Sequence, residues 1–304
     1  MMRASFAILA AALLMAGAAF AQQSDYSKVE IRTTRLADNL HLLEGVGGPV
    51  IGAVIMQSGP DGVLLVDSQF AQTRDKLLAA MRRISEQPVR YLVNTHSHSD
   101  HTSGNEGFAR QGAVIFARDQ LRQRMERPAP GSNGAPGRVT PALALPVVTY
   151  DDVVNLHVNG ERVQLIPIRA AHTDGDTLVY FPKSDVLVTG DYFRTAGFPR
   201  GGRAGGGSLS GLLAGLGVTI GYAGPNTRVV PGHGPVTDRN GLIAHRDQIL
   251  AVRDRIAPLV AAGKSVEEVL TANPAAGFDA EGLDPADTAE RFVRWVYEEL
   301  KAGG

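Results

Sequence analysis

The stretch HSHSDH at residues 96–101 constrains the fold of this chain more than any other feature, because it places three of the eight histidines and an aspartate within six residues. It follows directly on an apolar, strand-like segment. Side chains two residues apart in extended backbone point to the same side, so His96 and His98 can face one ion. Asp100 and His101 follow on a predicted turn, which can direct them to a neighbouring point. Four ligands in one loop do not converge easily on a single tetrahedral ion, so the spacing suggests two metal ions and further ligands elsewhere.

Three further candidate ligands stand in turn-rich motifs after apolar, strand-like segments. They are His172 in AHTDGD, Asp191 in TGDY and His233 in PGHG. Each has a glycine nearby, and glycine lets the backbone turn sharply and approach an ion closely. A carboxylate can bind two cations through its two oxygens, which a histidine cannot do, so Asp191 is the expected bridge. The chain has no cysteine, so any metal must be held by nitrogen and oxygen.

In this order and at these separations the motifs resemble those of the metallo-β-lactamase-fold hydrolases, in their glyoxalase II-like and lactonase-like arrangement, over about residues 29–234. The resemblance implies an αββα four-layer sandwich of the α/β (α+β) class. It further implies that Asp67, which ends VLLVD, is the family's buried aspartate that supports the metal loop. The implied ligands are His96, His98 and His172 for a first zinc ion, Asp100, His101 and His233 for a second, and Asp191 for both.

The function implied by the resemblance is that of a binuclear metal-dependent hydrolase. A hydroxide between two zinc ions would attack the carbonyl of a lactone, ester or thioester, and either Asp100, acting catalytically, or a metal-bound water would return the proton. Iron or manganese could replace zinc, because histidine and aspartate do not select strongly among these ions.

Two alternatives remain open at this stage. The first is a metallo-β-lactamase that hydrolyses β-lactam antibiotics. Members with a cysteine ligand are excluded by composition, and members with a complete H-x-H-x-D-H motif generally lack the bridging aspartate, so Asp191 favours the broader hydrolase. The second, from another class, is a non-catalytic metal-binding or partner-binding protein on the same scaffold. The complete ligand set favours an enzyme.

The chain begins like an exported protein. Arg3 precedes an apolar run at residues 6–20, and AFA at residues 19–21 has the form of a cleavage site. This pattern predicts a bacterial signal peptide over residues 1–21, cleaved after Ala21, and a periplasmic or secreted location without a membrane anchor. The expected domains are therefore a metallo-β-lactamase-like domain over residues 22–240 and a C-terminal helical extension over residues 241–304, packed on the same domain.

The local patterns predict two similar halves, each with strands first and then helices. Antiparallel strands are expected within residues 29–66, a helix over residues 70–86, and further strands within residues 149–189. Beyond these, helices are expected over residues 241–261 and from Asp284-Pro285, as N-cap and first helical residue.

Partners and substrate follow less directly from the sequence. With 30 basic and 31 acidic residues, the chain shows no charge pattern for nucleic acid, so a small-molecule substrate is expected; the oligomeric state is not predicted. The expected pocket walls are residues 45–49, 128–137 and 194–208. Arg194, Arg200 and Arg203 either attract a substrate carboxylate or are solvated loop arginines. The remaining histidines, interpreted as surface or satisfied core residues, are His41, His157 and His245.

Overall fold

The computed structural model describes residues 25–127, 139–278 and 288–303. The predicted signal peptide, the loop at residues 128–137 and the helix start at Asp284-Pro285 therefore lie outside the described residues. Among the described residues, no helix is both long and apolar enough to cross a membrane.

The first half of the described chain forms a sheet of seven strands, in which neighbours in sequence are neighbours in space. Its strands are β1 (Glu30–Ala37), β2 (Leu40–Val46), β3 (Val54–Gly59), β4 (Gly62–Val66), β5 (Val89–Val93), β6 (Val114–Arg118) and β7 (Val148–Tyr150). The strands from β1 to β4 pair antiparallel through short turns, and those from β4 to β7 pair parallel. Parallel neighbours require crossover connections. The helices in these connections are α1 (Arg74–Arg82), α2 (Ser99–Thr102), α3 (Asn105–Ala109) and α4 (Asp119–Glu126).

The second half forms a sheet of five described strands in the order β12-β11-β10-β9-β8. The strands are β8 (Val154–Val158), β9 (Glu161–Ile168), β10 (Asp176–Phe181), β11 (Val186–Gly190) and β12 (Arg228–Pro231). Only the last described pair, β11 with β12, is parallel. The helices of this half are α5 (Leu209–Tyr222), which connects β11 to β12, and then α6 (Arg239–Ala261), α7 (Val266–Thr271) and α8 (Ala289–Lys301).

Alternation of apolar side chains along the strands explains how the layers stack. On β4, Leu64 faces the cluster between the two sheets, whereas Leu65 faces the cluster beneath α1 and α3. On β10, Val179 faces the same inter-sheet cluster, and Leu178 faces the cluster shared with α5, α6 and α8. Successive side chains of a strand point to opposite faces, so a strand buried on both faces is apolar at every position. The αββα four-layer sandwich is thereby confirmed.

Several local predictions need correction. Residues 148–150 form β7 at the edge of the first sheet, parallel to β6, and do not begin the second half. Asp100 and His101 lie in the short helix α2 instead of an irregular turn. The helix expected over residues 70–86 is shorter, with a 3₁₀ turn at Ala71–Thr73 before α1. The C-terminal helix begins at Ala289, with the extended residue Thr288 as its N-cap. Helix α5 was not predicted.

His245 on α6 is a buried histidine of the core. It is 9% exposed, and its ring stands edge-to-face to that of Phe193 at 5.1 Å between centroids. The position fits the interpretation as a core residue, but Nε2 has no hydrogen-bond partner among the described residues, so the ring is not fully satisfied. Burial, followed by the positive charge of Arg194, lowers the pKa of His245 to about 4.

This pKa predicts that His245 makes the fold sensitive to acid. In the unfolded chain, this residue is protonated near its ordinary pKa of about 6.5. Between that pH and the folded pKa, the unfolded state therefore binds more protons than the folded state. The stability that the neutral ring gives the folded state is present above about pH 6.5 and is lost as the pH falls below it. Between pH 7.5 and pH 5, we expect the unfolding free energy of the wild type to fall by about 2 kcal/mol more than that of His245→Leu. The measurement is a urea titration of metal-free protein at each pH. His157→Leu, at an exposed position on β8, is the control; equal slopes for wild type and His245→Leu would contradict the prediction.

Candidate metal centre

The predicted ligands meet at one edge of the sandwich, where strands from both sheets end. His96 follows β5, Asp191 follows β11 directly, and His233 follows β12. His172 lies between β9 and β10. In α/β sheets, ligands bind at the carboxyl ends of strands, because the connections that leave these ends can converge there. The parallel pairing of β4 with β5 and of β11 with β12 gives each sheet such an end.

The first donor group consists of His96, His98, His172 and Asp191, whose donor atoms all lie within 4.8 Å of one another. Nδ1 of His98 lies 3.2 Å from Nε2 of His96 and 3.0 Å from Nε2 of His172. Oδ2 of Asp191 lies 3.8 Å and 3.7 Å from the same two Nε2 atoms. Ligand bonds of about 2.0–2.1 Å give a tetrahedron with edges of about 3.3 Å, so this spacing fits a four-coordinate ion.

The second donor group consists of Asp100, His101, His233 and, again, Asp191. Oδ2 of Asp100 lies 3.3 Å from Nε2 of His101 and 3.1 Å from Nε2 of His233. Asp191 contributes Oδ1 at 3.2 Å from His101 and Oδ2 at 3.3 Å from His233. Nε2 of His101 and Oδ1 of Asp191 are buried without a hydrogen-bond partner among the described residues. Such unpaired polar atoms are costly, and a shared cation would satisfy both.

The histidines of the first group are held neutral. Burial, followed by the charge of His101, lowers the pKa of His96 well below its ordinary value, and burial also lowers the pKa of His172. Desolvation, followed by the charge of His172, lowers the pKa of His98 to about 4. Neutral imidazole is the form that binds a metal ion, so this group suits a cation at neutral pH.

The second group is richer in carboxylate. Burial opposes a charge on His233, but Asp191 and Asp100 outweigh it and raise its pKa to about 9. Against the same burial, Asp100, Asp191 and Asp67 raise the pKa of His101. Burial disfavours charge on Asp100 and Asp191 too, but the neighbouring histidines hold the pKa of both carboxyls below its usual range. Without a metal ion, protons on these histidines balance the negative charge of the carboxylates. Metal binding would release those protons.

Asp67, for which the resemblance implied support of the metal loop, contacts two residues of that loop. Its Oδ2 lies 2.7 Å from Nδ1 of His101, and it accepts hydrogen bonds from the backbone N–H of Thr95 at 2.8 Å and the hydroxyl of Thr95 at 2.6 Å. The Thr95 hydroxyl, in turn, lies 3.1 Å from Nδ1 of His96. Because Nδ1 of both rings has a partner outside the centre, each Nε2 is left to face it.

His172 is oriented from two sides. Its Nδ1 lies 2.8 Å from the main-chain carbonyl of Arg200, which leaves Nε2 facing the first donor group. Its backbone N–H donates to Asp176 at 2.7 Å, and Asp176 also accepts from the backbone and hydroxyl of Thr173. Burial raises the pKa of Asp176 to about 7. Asp176 and Thr95 were not assigned a role from sequence, although each lies beside a ligand motif at a strand end.

The three loop arginines, each predicted either to attract a substrate carboxylate or to be solvated, lie in different surroundings. Arg194 is 2% exposed, so it is not a solvated loop arginine. Arg203 donates through Nε to the carboxylate of Glu299 on α8 at 3.1 Å, so a carboxylate of the protein pairs with its charge. Arg200 is half-buried, and its carbonyl contacts His172. For Arg194 and Arg200, attraction of a substrate carboxylate stays a prediction.

The open side of the centre is marked by the ligands that remain accessible. His98 is exposed, and the side chain of Asp100 is 20% exposed, whereas His96 and His101 are buried. On another side, a Cβ at Gly52 would stand 2.5 Å from the His101 ring, so the β2–β3 connection closes against the centre. A molecule approaching the donor groups would therefore meet His98 and Asp100 first.

Comparison with known proteins agrees with the fold. The linear primary-alkylsulfatase of Pseudomonas sp. (strain ATCC 19151) is 33% identical over an alignment of 73 residues, with a coverage of 22% of this chain and only 14% of that protein. Among solved structures, the metallo-beta-lactamase from Pontibacter korlensis superposes with a TM-score of 0.60 at 20% identity, covering 73% of this chain and 99% of that one. The DIM-1 metallo-beta-lactamase gives a TM-score of 0.57 at 19% identity over 72% and 97% of the two chains.

These structural likenesses, at such identities, show the fold alone. The sequence pattern of the family described as "Metallo-beta-lactamase superfamily" matches residues 47–243, which is well over half of the chain and contains every predicted ligand. The protein therefore belongs to the metallo-beta-lactamase superfamily.

Proposed function

We propose that this protein is an exported, binuclear metal-dependent hydrolase that adds water to the carbonyl of a lactone, ester or thioester. The observation that carries the proposal is the position of Asp191, whose carboxylate belongs to both donor groups. A shared carboxylate between two sets of three further ligands fits two neighbouring ions. Zinc is the ion we expect, and iron or manganese would suit the same nitrogen and oxygen donors.

Different residues of the chain have different roles in the proposed reaction. Two bound ions would act as Lewis acids and lower the pKa of a bound water from about 15.7 towards 7. His96, His101, His172 and His233 would hold the ions from the buried side. Asp100, at the open side and 3.1 Å from Nε2 of His233, can accept the proton of the attacking water. It can then return the proton to the leaving oxygen or sulfur as the bond from that atom to the acyl carbon breaks.

Hydrolysis of an alkyl sulfate is a second candidate. The likeness to a linear primary-alkylsulfatase over 73 residues favours it, although this segment is a small part of that protein. Ions held by the same donor groups would polarise a sulfate ester. The proposed periplasmic or secreted location rests on the charged start, apolar run and AFA motif of residues 1–21 alone.

A substrate panel at defined metal content tests the proposal. We expect close to two metal equivalents per chain by elemental analysis. The panel should include an acyl-homoserine lactone, an aryl ester, a thioester, a chromogenic cephalosporin, an alkyl sulfate and a phosphodiester. Turnover of the first three well above the rest supports the proposal. A preference for the cephalosporin or the alkyl sulfate would replace the substrate class, and metal binding without any turnover would favour a binding protein on this scaffold.

A further inference from the structure

The segment that carries His172 is held by the glycine-rich loop, which we define as residues 197–207. Besides the Arg200 carbonyl bonded to Nδ1 of His172, the loop accepts the N–H of Asp174 at Gly205, at 3.1 Å. A β-bridge joins Thr173 to Gly206. The loop thus fixes both the ring and the backbone of this ligand.

The glycine-rich loop packs so closely against the His172 segment that this contact depends on the glycines of the loop. A Cβ at Gly207 would stand 2.5 Å from the carbonyl oxygens of Ala171 and His172. Gly202 and Gly206 have φ angles of +156° and +74°, and the left-handed region that includes Gly206 favours glycine. A loop of this composition has little stiffness of its own, so its position must come from contacts with other elements.

Helix α8 provides these contacts on both sides of Arg200. Before it, the ring of Phe198 stacks on that of Phe292, with centroids 5.7 Å apart. After it, the backbone of Gly201 lies against the indole of Trp295, where a Cβ would stand 2.4 Å from the ring.

Glu299 of α8 adds a polar anchor. Its carboxylate is 3% exposed and accepts from Nε of Arg203 and from the backbone N–H of Leu209, each at 3.1 Å. Leu209 is the first residue of α5, so the carboxylate also lies at the positive end of that helix. Glu299 therefore ties the end of the glycine-rich loop to two helices.

We propose that Glu299 and Trp295 are positioning residues for His172, acting through the glycine-rich loop and the Arg200 carbonyl. The inference rests on the proposed function, in that His172 is taken as a metal ligand. It predicts a selective effect: α8 governs the metal affinity of the first donor group. The described supports of His101 in the second group come from Asp67 in the other half of the molecule.

The test uses Glu299→Ala in the full chain, with metal affinity measured by Zn²⁺ titration against a chelator. Loss of a hydrogen-bond partner of a ligating histidine typically weakens metal binding by about 10–100-fold. For Glu299→Ala, we expect metal binding to weaken by about tenfold at the first donor group and by less than twofold at the second. Glu299→Gln keeps one acceptor oxygen and should lose less. Glu298→Ala, at an exposed position one residue away on α8, should match wild type.

A second readout does not depend on metal. In the metal-free protein, nitrogen-proton NMR should show a slowly exchanging Nδ1–H on His172, assigned with His172→Gln, and Glu299→Ala should speed its exchange. If Glu299→Ala does not fold, Arg203→Met removes one of the two anchors at a side chain that is 64% exposed. Unchanged affinity and exchange in a folded variant, or equal weakening of both groups, would overturn the inference. Failure of wild type to bind metal, with the NMR result as expected, would instead refute the proposed function.

Discussion

Replacing Asp191 by alanine is expected to lower the rate of hydrolysis roughly a thousandfold and to leave less than one tightly bound metal ion per chain. The carboxylate is 7% exposed and belongs to both donor groups, with its oxygens 3.2–3.8 Å from the Nε2 atoms of four histidines. Bound metal contributes several kcal/mol of charge stabilisation to such reactions. A loss of about 4 kcal/mol corresponds to a thousandfold.

This result should be specific to the centre. The metal content, the rate on the best substrate and the far-ultraviolet circular dichroism spectrum are measured together, because the variant should stay folded while it loses metal and activity. His157→Ala, an exposed histidine on β8, should leave all three unchanged. Retention of two metal equivalents by Asp191→Ala would contradict the bridging role.

The donor groups of the candidate centre could be predicted from sequence because the chemistry resides in the side chains themselves. Three histidines and an aspartate in six residues, with three further candidate ligands near glycines, form a donor set that suits few roles besides metal binding. The folded chain brings all seven together, as two groups that share Asp191. Asp67, which the resemblance implied as a support of the metal loop, is buried and contacts His101 in that loop.

The supports of the ligands could not be predicted in the same way. The partner of His172 Nδ1 is a main-chain carbonyl, and every residue has one, so its residue type carries no signal. Asp176 and Thr95 act through bonds to backbone N–H groups or neighbouring side chains, whose positions depend on how the strands end. Likewise, the burial of Arg194 follows from tertiary packing and not from its surroundings in sequence.

Helix α5 was missed because its sequence, LSGLLAGLGVTIGY, lacks both a polar face and high helix propensity. Two of its four glycines, Gly211 and Gly215, serve packing instead. A Cβ at Gly211 would stand 2.0 Å from the carbonyl oxygen of Ala170, and one at Gly215 would stand 2.6 Å from the side chain of Ile168. The helix therefore approaches the end of β9 more closely than other residue types would allow, and tertiary packing offsets its weak propensity.

Replacing Asp67 by asparagine is expected to weaken metal binding at the second donor group by about 10–100-fold, the usual cost of losing a partner of a ligating histidine. The rate of hydrolysis should fall with it. The change is nearly isosteric, and asparagine also tolerates the φ of +64° that Asp67 adopts. Asparagine, however, offers one acceptor oxygen where the carboxylate has two.

The position of the new amide nitrogen determines which tautomer His101 adopts. The N–H of Thr95 needs an acceptor at Oδ1 of residue 67, so the amide nitrogen would occupy the Oδ2 position and donate to Nδ1 of His101. The ring would then carry its proton on Nε2, which faces the centre and must be free to bind a metal ion. A wrong tautomer of this kind in a catalytic triad costs about 10⁴-fold in kcat.

Zn²⁺ titration and histidine NMR on Asp67→Asn measure the metal affinity and the tautomer of His101. Asp185→Asn is the matched control, since Asp185 also has a positive φ, of 54°, and bonds a threonine, Thr227. Wild-type metal affinity in Asp67→Asn, or an equal loss in Asp185→Asn, would show that Asp67 does not set the His101 tautomer.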